Sequence, residues 1–194
     1  PDSREFRMGP GYTGAHRERQ IGIAKQLFAA MGIARDDKDA RQDMFPSQVA
    51  SYNDDDLIGT NKTTADDNFD PAHPLYQAFG QYAQVYAANK ALQTGAQIHR
   101  YAANGPGIYA FSRIDRTDKI EYVVALNNSA SAQNADVPTF YGSGTQFDLV
   151  ISDDGTAAAT LSAGAGGVLG VSVPPMGFVI YKASQPVAAS ATAP

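Results

Sequence analysis

The feature that most constrains this chain is a change of periodicity near Thr94-Gly95. On the N-terminal side apolar residues recur every three or four positions, which suits a helix with one buried face. Ile21, Ala24, Leu27, Phe28 and Met31 follow that spacing up to Gly32, and predict a helix over 15–31 capped by a glycine. Leu75, Ala78, Phe79, Tyr82, Tyr86 and Asn89 do the same over 75–92, after Pro74, a residue suited to a first helical turn. Between them, 35–70 is rich in Asp, Asn, Thr and Gly and reads as a long loop.

Beyond Gly95 the period falls to two. Gly107 to Ile114 and Lys119 to Asn127 alternate as strands, joined by the polar turn Asp115-Arg116-Thr117-Asp118. Further short runs at 97–102, 146–151, 168–173 and 177–182 are separated by Asn127-Asn128-Ser129, Asp153-Asp154-Gly155 and Pro174-Pro175. Six or more short strands with such punctuation predict a mainly β fold, an antiparallel Greek-key sandwich over 93–183. The last residues, 184–194, are Ala, Ser, Pro and Thr with one Val and one Gln, and read as a disordered tail or linker.

Composition removes several function classes. There is no Cys, so disulfides, thiolate metal sites and cysteine nucleophiles are excluded. Fifteen basic against twenty acidic residues, with no dense Lys/Arg segment, argue against nucleic acid as a partner. The longest apolar runs, Val168 to Val173 and Phe178 to Tyr181, fall far short of the ~20 residues of a membrane-crossing helix, so no membrane partner is expected. The opening Pro1-Asp2-Ser3-Arg4 has no apolar core, so any targeting segment is expected to have been removed or to lie upstream.

Ordered segments then carry a resemblance. Asp39-Ala40-Arg41-Gln42-Asp43-Met44-Phe45, Asp55-Asp56-Leu57-Ile58-Gly59-Thr60, Asp67-Asn68-Phe69-Asp70 with His73-Pro74-Leu75-Tyr76, and Leu92 to Gln97 are similar to the last part of alpha-amylase superfamily glycoside hydrolases. The similarity continues through Gly107 to Arg113, Tyr122 to Asn128 and Pro174 to Lys182, which resemble strands of that family's C-terminal β domain. The resemblance implies that 1–92 is the truncated, α-helical end of a (β/α)8 catalytic barrel, since a whole barrel takes about 250 residues. It implies a parent enzyme with retaining chemistry on alpha-glucans such as starch and maltooligosaccharides, by hydrolysis or transfer, in an extracellular or periplasmic setting. The alternative is a non-catalytic sandwich for stability or carbohydrate contact.

Retaining hydrolysis needs a carboxylate nucleophile and a carboxylic acid/base held on separate rigid elements. The chain has three Glu: Glu5 and Glu18 lie where the resemblance is poor, and Glu121 lies in a predicted strand. The family's Asn-His-Asp triplet is absent, the three His standing in Ala15-His16-Arg17, Ala72-His73-Pro74 and Ile98-His99-Arg100. No catalytic residue is therefore expected, and the chain alone should be inactive. Arg41, Asp43 and Phe45 match the segment after the last barrel strand and are the candidate substrate-binding residues, either touching sugar or anchoring the loop through an ion pair. The acidic runs 54–56 and 66–70 read as solvated, capping carboxylates; no cofactor or metal is expected of the chain, with Ca²⁺ an open alternative for the parent. Tyr109, Phe111, Tyr122 and Tyr181 read as core or inter-domain packing, against the alternative of a stacking platform for glucose rings.

If 1–70 is a barrel remnant, it lacks strand neighbours that would satisfy its backbone and bury its apolar faces. Its amides should exchange faster than those of Tyr122 to Leu126, and limited proteolysis should cut first between Arg35 and Lys62. Slow exchange throughout, without a preferred cut, would show a fully packed segment.

Overall fold

The computed structural model describes residues 45–50, 53, 57 and 59–188. The expected helix over 15–31 lies outside them. The chain groups into two compact units, 1–78 and 79–194.

In the first unit, the described residues form a chain of tight turns. The Ser47 amide donates to the Thr64 carbonyl at 2.7 Å, and the fully buried Thr64 hydroxyl donates to Asn53 Oδ1 at 2.8 Å. The unit runs into helix α1, Pro74–Ala88. Its start is set by His73, whose Nδ1 accepts the Leu75 amide at 3.2 Å, and by Pro74, whose missing N–H is no loss in a first turn.

One continuous helix over 75–92 is expected from the spacing; two are found. Asn89 is extended (φ −123°, ψ 91°), so α1 stops at Ala88 and a short α2 covers Lys90–Thr94. The break is held by Asn89 itself. Its Nδ2 donates to the Val85 carbonyl at 2.7 Å and its Oδ1 accepts from the Tyr122 hydroxyl at 3.0 Å. Gly95 ends α2 because there is no room for a side chain: a Cβ there would strike the Ala91 carbonyl oxygen. The expected burial of Phe79 is also corrected. No residue of α1 is buried, and Phe79 is 71% exposed. Pattern alone marks an apolar face; it does not say what covers it.

The second unit is the sandwich. Among the described residues eight strands are found: β1 Ala96–Ala102, β2 Ile108–Ile114, β3 Glu121–Asn127, β4 Gln133–Pro138, β5 Gln146–Ser152, β6 Thr160–Ser162, β7 Val168–Val173 and β8 Phe178–Ala183. Six form one antiparallel sheet in the order β1-β2-β3-β8-β5-β6, and β4 pairs with β7 in the second. The chain leaves the large sheet after β3, returns for β5 and β6, leaves again for β7, and comes back as β8 between β3 and β5. That is a Greek-key path. The small sheet packs on the large one through β1, β2, β3 and β6.

Alternation decides which side chains face inward. Ala110 and Ser112 of β2, Val123 and Ala125 of β3, Val179 and Tyr181 of β8, and Phe147 of β5 meet Val137 of β4 and Leu169, Val171 and Val173 of β7. Each of the large ones removes roughly 1.5–3 kcal/mol worth of apolar surface from water. Past β8 the chain is not released at Ser184. The Tyr141 hydroxyl donates to the Gln185 carbonyl at 2.7 Å, and Val187 is buried, its amide bonded to the Lys119 carbonyl at 2.9 Å.

One charged group sits inside this apolar interior. Glu121 is fully buried, and its Oε1 accepts from Arg100 Nη2 at 2.6 Å and from the Ser112 hydroxyl. Its Oε2 accepts the Phe140 amide at 2.9 Å, while its own amide donates to the Tyr141 hydroxyl. Arg100 Nε donates to Ser112 at 2.7 Å, and its guanidinium lies 4.1 Å from the centre of the Phe140 ring. Three strands and the segment after β4 therefore share one ion pair. Glu121→Leu should destabilise the sandwich by roughly 3–5 kcal/mol in urea unfolding, because Arg100, its side chain only 11% exposed, is left without a counter-charge. Adding Arg100→Met should recover much of the loss; a double mutant no better than the single would refute the pairing argument.

Burial pushes the Tyr141 hydroxyl up to about 12, with the Glu121 carboxylate adding to it against the pull of the Glu121 amide. The folded state thus holds this proton more tightly than the unfolded chain. Its contribution to stability should be intact below the ordinary value of 10.0 and disappear as pH rises from there to about 12. Alkaline melting curves of wild type and Tyr141→Phe should converge toward the upper end of that range.

Candidate functional site

Of the residues expected to contact sugar, Arg41 and Asp43 lie outside the described residues. Phe45 is described and 71% exposed, with its ring edge-to-face on Phe69 at 4.9 Å. Phe69 is itself 53% exposed. This is a small aromatic pair on the first unit, beside a loop whose carboxylates hold the loop's own amides. Asp66 accepts from the Thr63 amide at 2.8 Å, Asp67 from Phe69 at 3.0 Å, and Asp70 from Ala72 at 2.9 Å, with Lys62 Nζ 3.7 Å from Asp70. The run of acids is thus a set of side-chain-to-backbone turns. Residues 54–56 lie outside the described set. Among the described residues no group of three or more His, Asp and Glu gathers around a common point.

The four aromatics weighed as a stacking platform, Tyr109, Phe111, Tyr122 and Tyr181, divide between the two faces of the large sheet. Tyr181 is buried in the core, its hydroxyl bonded to the Ala158 carbonyl at 2.9 Å. Tyr109, Phe111 and Tyr122 point the other way, onto the outer face of the large sheet. Tyr122 is nevertheless buried through its bond to Asn89, with Lys182 Nζ 5.6 Å from its ring centre. Tyr109 is 39% exposed and stands in a row with His99 (5.6 Å) and Phe111 (5.7 Å). No four-ring platform forms, because alternation places Tyr181 inside.

The outer face is instead a broad apolar surface. Registers Tyr109↔Leu126, Phe111↔Val124, Leu126↔Phe178 and Val124↔Ile180 set these side chains side by side across three strands. The C-terminal part of α1 lies over one portion. Tyr82 stacks edge-to-face on Phe178 at 5.4 Å and donates to Asp153 Oδ1 at 3.1 Å, and with Val85 and Tyr86 it walls a groove of about 320 Å³ over Phe111, Val124 and Ile180. Burial, with the bond to Asp153 and that carboxylate's charge, raises the Tyr82 hydroxyl above its ordinary value.

Arg113 fixes the following helix. Its Nε donates to the Ala91 carbonyl at 3.2 Å and its Nη2 to the carbonyls of Leu92 and Gln93, at the helix end where such groups lack partners. Nothing in the sequence singled out Arg113 for this role beyond its place in a strand.

A second cleft, of about 630 Å³, opens at the end of the same face between Tyr109, Leu126, Asp153, Met176 and Phe178. Met176 is 71% exposed and has φ of +50°, a left-handed conformation that side-chain-bearing residues rarely take. Tyr86, Leu126 and Phe79 extend the exposed apolar area at 53%, 42% and 71%. Replacing Tyr82 by Ala should therefore lower the unfolding free energy by roughly 0.5–1.5 kcal/mol for the ring pair plus the area it buries. Phe79→Asp, by contrast, should leave the midpoint within error, and a large loss there would mean that Phe79 is covered in solution.

Comparison with known proteins places this architecture. Residues 101–184 match the family described as the alpha amylase C-terminal all-beta domain. An alpha-amylase of Streptomyces lividans is 43% identical over 158 residues, which is 81% of this chain and 17% of that protein. The chain thus spans about a sixth of that relative's length. The crystal structure of an Anoxybacillus alpha-amylase aligns with 61% of the chain and 24% of its own at 18% identity and a TM-score of 0.49. The trehalulose synthase MutB of Pseudomonas mesoacidophila aligns with 59% and 18% at 22% identity and 0.44. The match of 101–184 to that family and the 43% identity identify the chain as the C-terminal part of an alpha-amylase superfamily protein, with 101–184 as its all-β domain.

Proposed function

We propose that this chain is the C-terminal, non-catalytic portion of a retaining glycosidase or transglycosidase that acts on alpha-glucans such as starch and maltooligosaccharides in an extracellular or periplasmic setting. The alpha-glucan is bound and cleaved by a barrel, and the sandwich supports that barrel. The reading is carried by Glu121. It is the one Glu among the described residues, and its two oxygens are taken by Arg100, Ser112 and the Phe140 amide inside the core. A fully buried, ion-paired carboxylate lacks the access to substrate that an acid/base needs. The purified chain should release no reducing sugar from soluble starch; reproducible release would sink the reading.

The exposed apolar face favours a specific form of support, in which the outer face of the large sheet is the side that meets the rest of the polypeptide. Contiguous exposed apolar area of this kind marks an interaction surface on a soluble domain. The elements immediately N-terminal to the sandwich already lie on it, so whatever precedes them is tethered within reach. In the longer parent protein, Tyr109→Asp with Leu126→Asp should shorten the half-life on heating and leave the KM for starch unchanged. A raised KM with unchanged half-life would instead assign the face to carbohydrate.

A further inference from the structure

The loop between β1 and β2 carries the chain's one Asn-Gly pair, Asn104-Gly105. We propose that Asn104 is a site of spontaneous deamidation in the folded protein, which converts it to aspartate and isoaspartate and places a new carboxylate beside the apolar cleft of the outer face.

The chemistry needs two groups to be available at once, and the fold leaves both available. The backbone nitrogen of Gly105 attacks Cγ of Asn104, the Cγ–Nδ2 bond breaks, and ammonia leaves. Water then opens the five-membered imide at either carbonyl, giving aspartate or isoaspartate with no change in oxidation state. Asn104 is exposed, and its side chain has no hydrogen bond to any described residue. The Gly105 amide is likewise bonded to no described carbonyl or side chain, and no atom beyond its chain neighbours lies within 4 Å of the place a Cβ would take, so the attacking residue stands in open space on its Cα side. The loop closes on either side of the pair: the Ala103 amide bonds to the Ile108 carbonyl at 2.9 Å, and the Gly107 amide to Asn128 Oδ1 at 2.7 Å. Only the tip is open.

Several other asparagines are engaged, while the exposed Asn61 and Asn134 are each followed by a residue with a side chain rather than by glycine. Asn127 is buried and donates to the carbonyls of Ser131, Val173 and Pro174. Asn89 bridges Val85 and Tyr122, Asn68 donates to Thr63 and Asp66, and Asn128 accepts from Gly107. A restrained amide reaches its neighbour's nitrogen only after its bonds are broken, each worth on the order of 1 kcal/mol. Asparagine is among the thermolabile residues for this kind of reason.

The test is peptide mapping of the intact chain during incubation in mildly alkaline buffer at physiological temperature, with isoaspartate detection and ion-exchange chromatography. Deamidation should appear first at Asn104, as an aspartate–isoaspartate mixture, together with a species one unit more negative than the formal charge of −5. The same measurement in urea should give about the same rate at Asn104, a ratio near one, because the folded loop offers no protection, whereas the rates at Asn127 and Asn89 should rise on unfolding. Asn104→Gln should abolish the early acidic species while leaving the melting curve unchanged. A native rate at Asn104 well below the unfolded rate, or earlier conversion at another asparagine of the folded chain, would overturn the proposal.

Discussion

A carboxylate with no access to water holds the sandwich together. Glu121 begins β3, and an unpaired charge at that depth would cost far more than one hydrogen bond returns. It is tolerated because β1 supplies Arg100, β2 supplies Ser112, and the chain after β4 supplies the Phe140 amide and the Tyr141 hydroxyl. These partners come from separate parts of the sequence, so the charge is satisfied only when the edge strand, the centre of the large sheet and the connection to the small sheet are all in place. Apolar packing alone would accept several registers between two sheets. An ion pair with this geometry accepts one.

The two faces of the large sheet then have different chemistry from the same alternation. Inside, Val123, Val179 and Tyr181 close on β7; outside, Tyr109, Val124, Leu126 and Phe178 form a surface that α1 and α2 cover only in part. Arg113 pins α2 by its last carbonyls, and Tyr82 pins the C-terminal part of α1 through Phe178 and Asp153. Between and beside these pins the face stays open, in the groove under Tyr86 and the cleft beside Met176. A domain that worked alone would be expected to carry polar residues there.

Much of this was legible from residue order. Period-two alternation located six of the eight strands, since β2, β3, β5, β7 and β8 each place large apolar residues on the buried side and β1 ends in a recognisable glycine-bounded loop. β4 was missed because Ala135 and Val137 are its whole apolar content, and β6 because three residues, Thr160–Ser162, are too few to show a period. The break at Asn89 depends on a hydroxyl 33 residues away, on Tyr122, which no local pattern contains. The exposure of Phe79 is of the same kind, since an amphipathic stripe reports a preference and its partner has to be found in space. The candidate sugar contacts rested on resemblance in a segment of which the structure describes Phe45 alone, paired with Phe69.

The position of β8 has a bearing on how the domain comes into being. It is the last strand among the described residues, yet it lies between β3 and β5, and its neighbours on the large sheet end some 50 and 25 residues before it begins. During synthesis from the N-terminus, β3 and β5 emerge with their inner edges unpaired, and β1 to β3 and β5 to β6 remain separate halves until Phe178 to Ala183 arrives. The ribosome must therefore pass Ala183 before the sheet can become continuous, and for that interval the two open edges are the surfaces at which a nascent chain is most exposed to pairing with another.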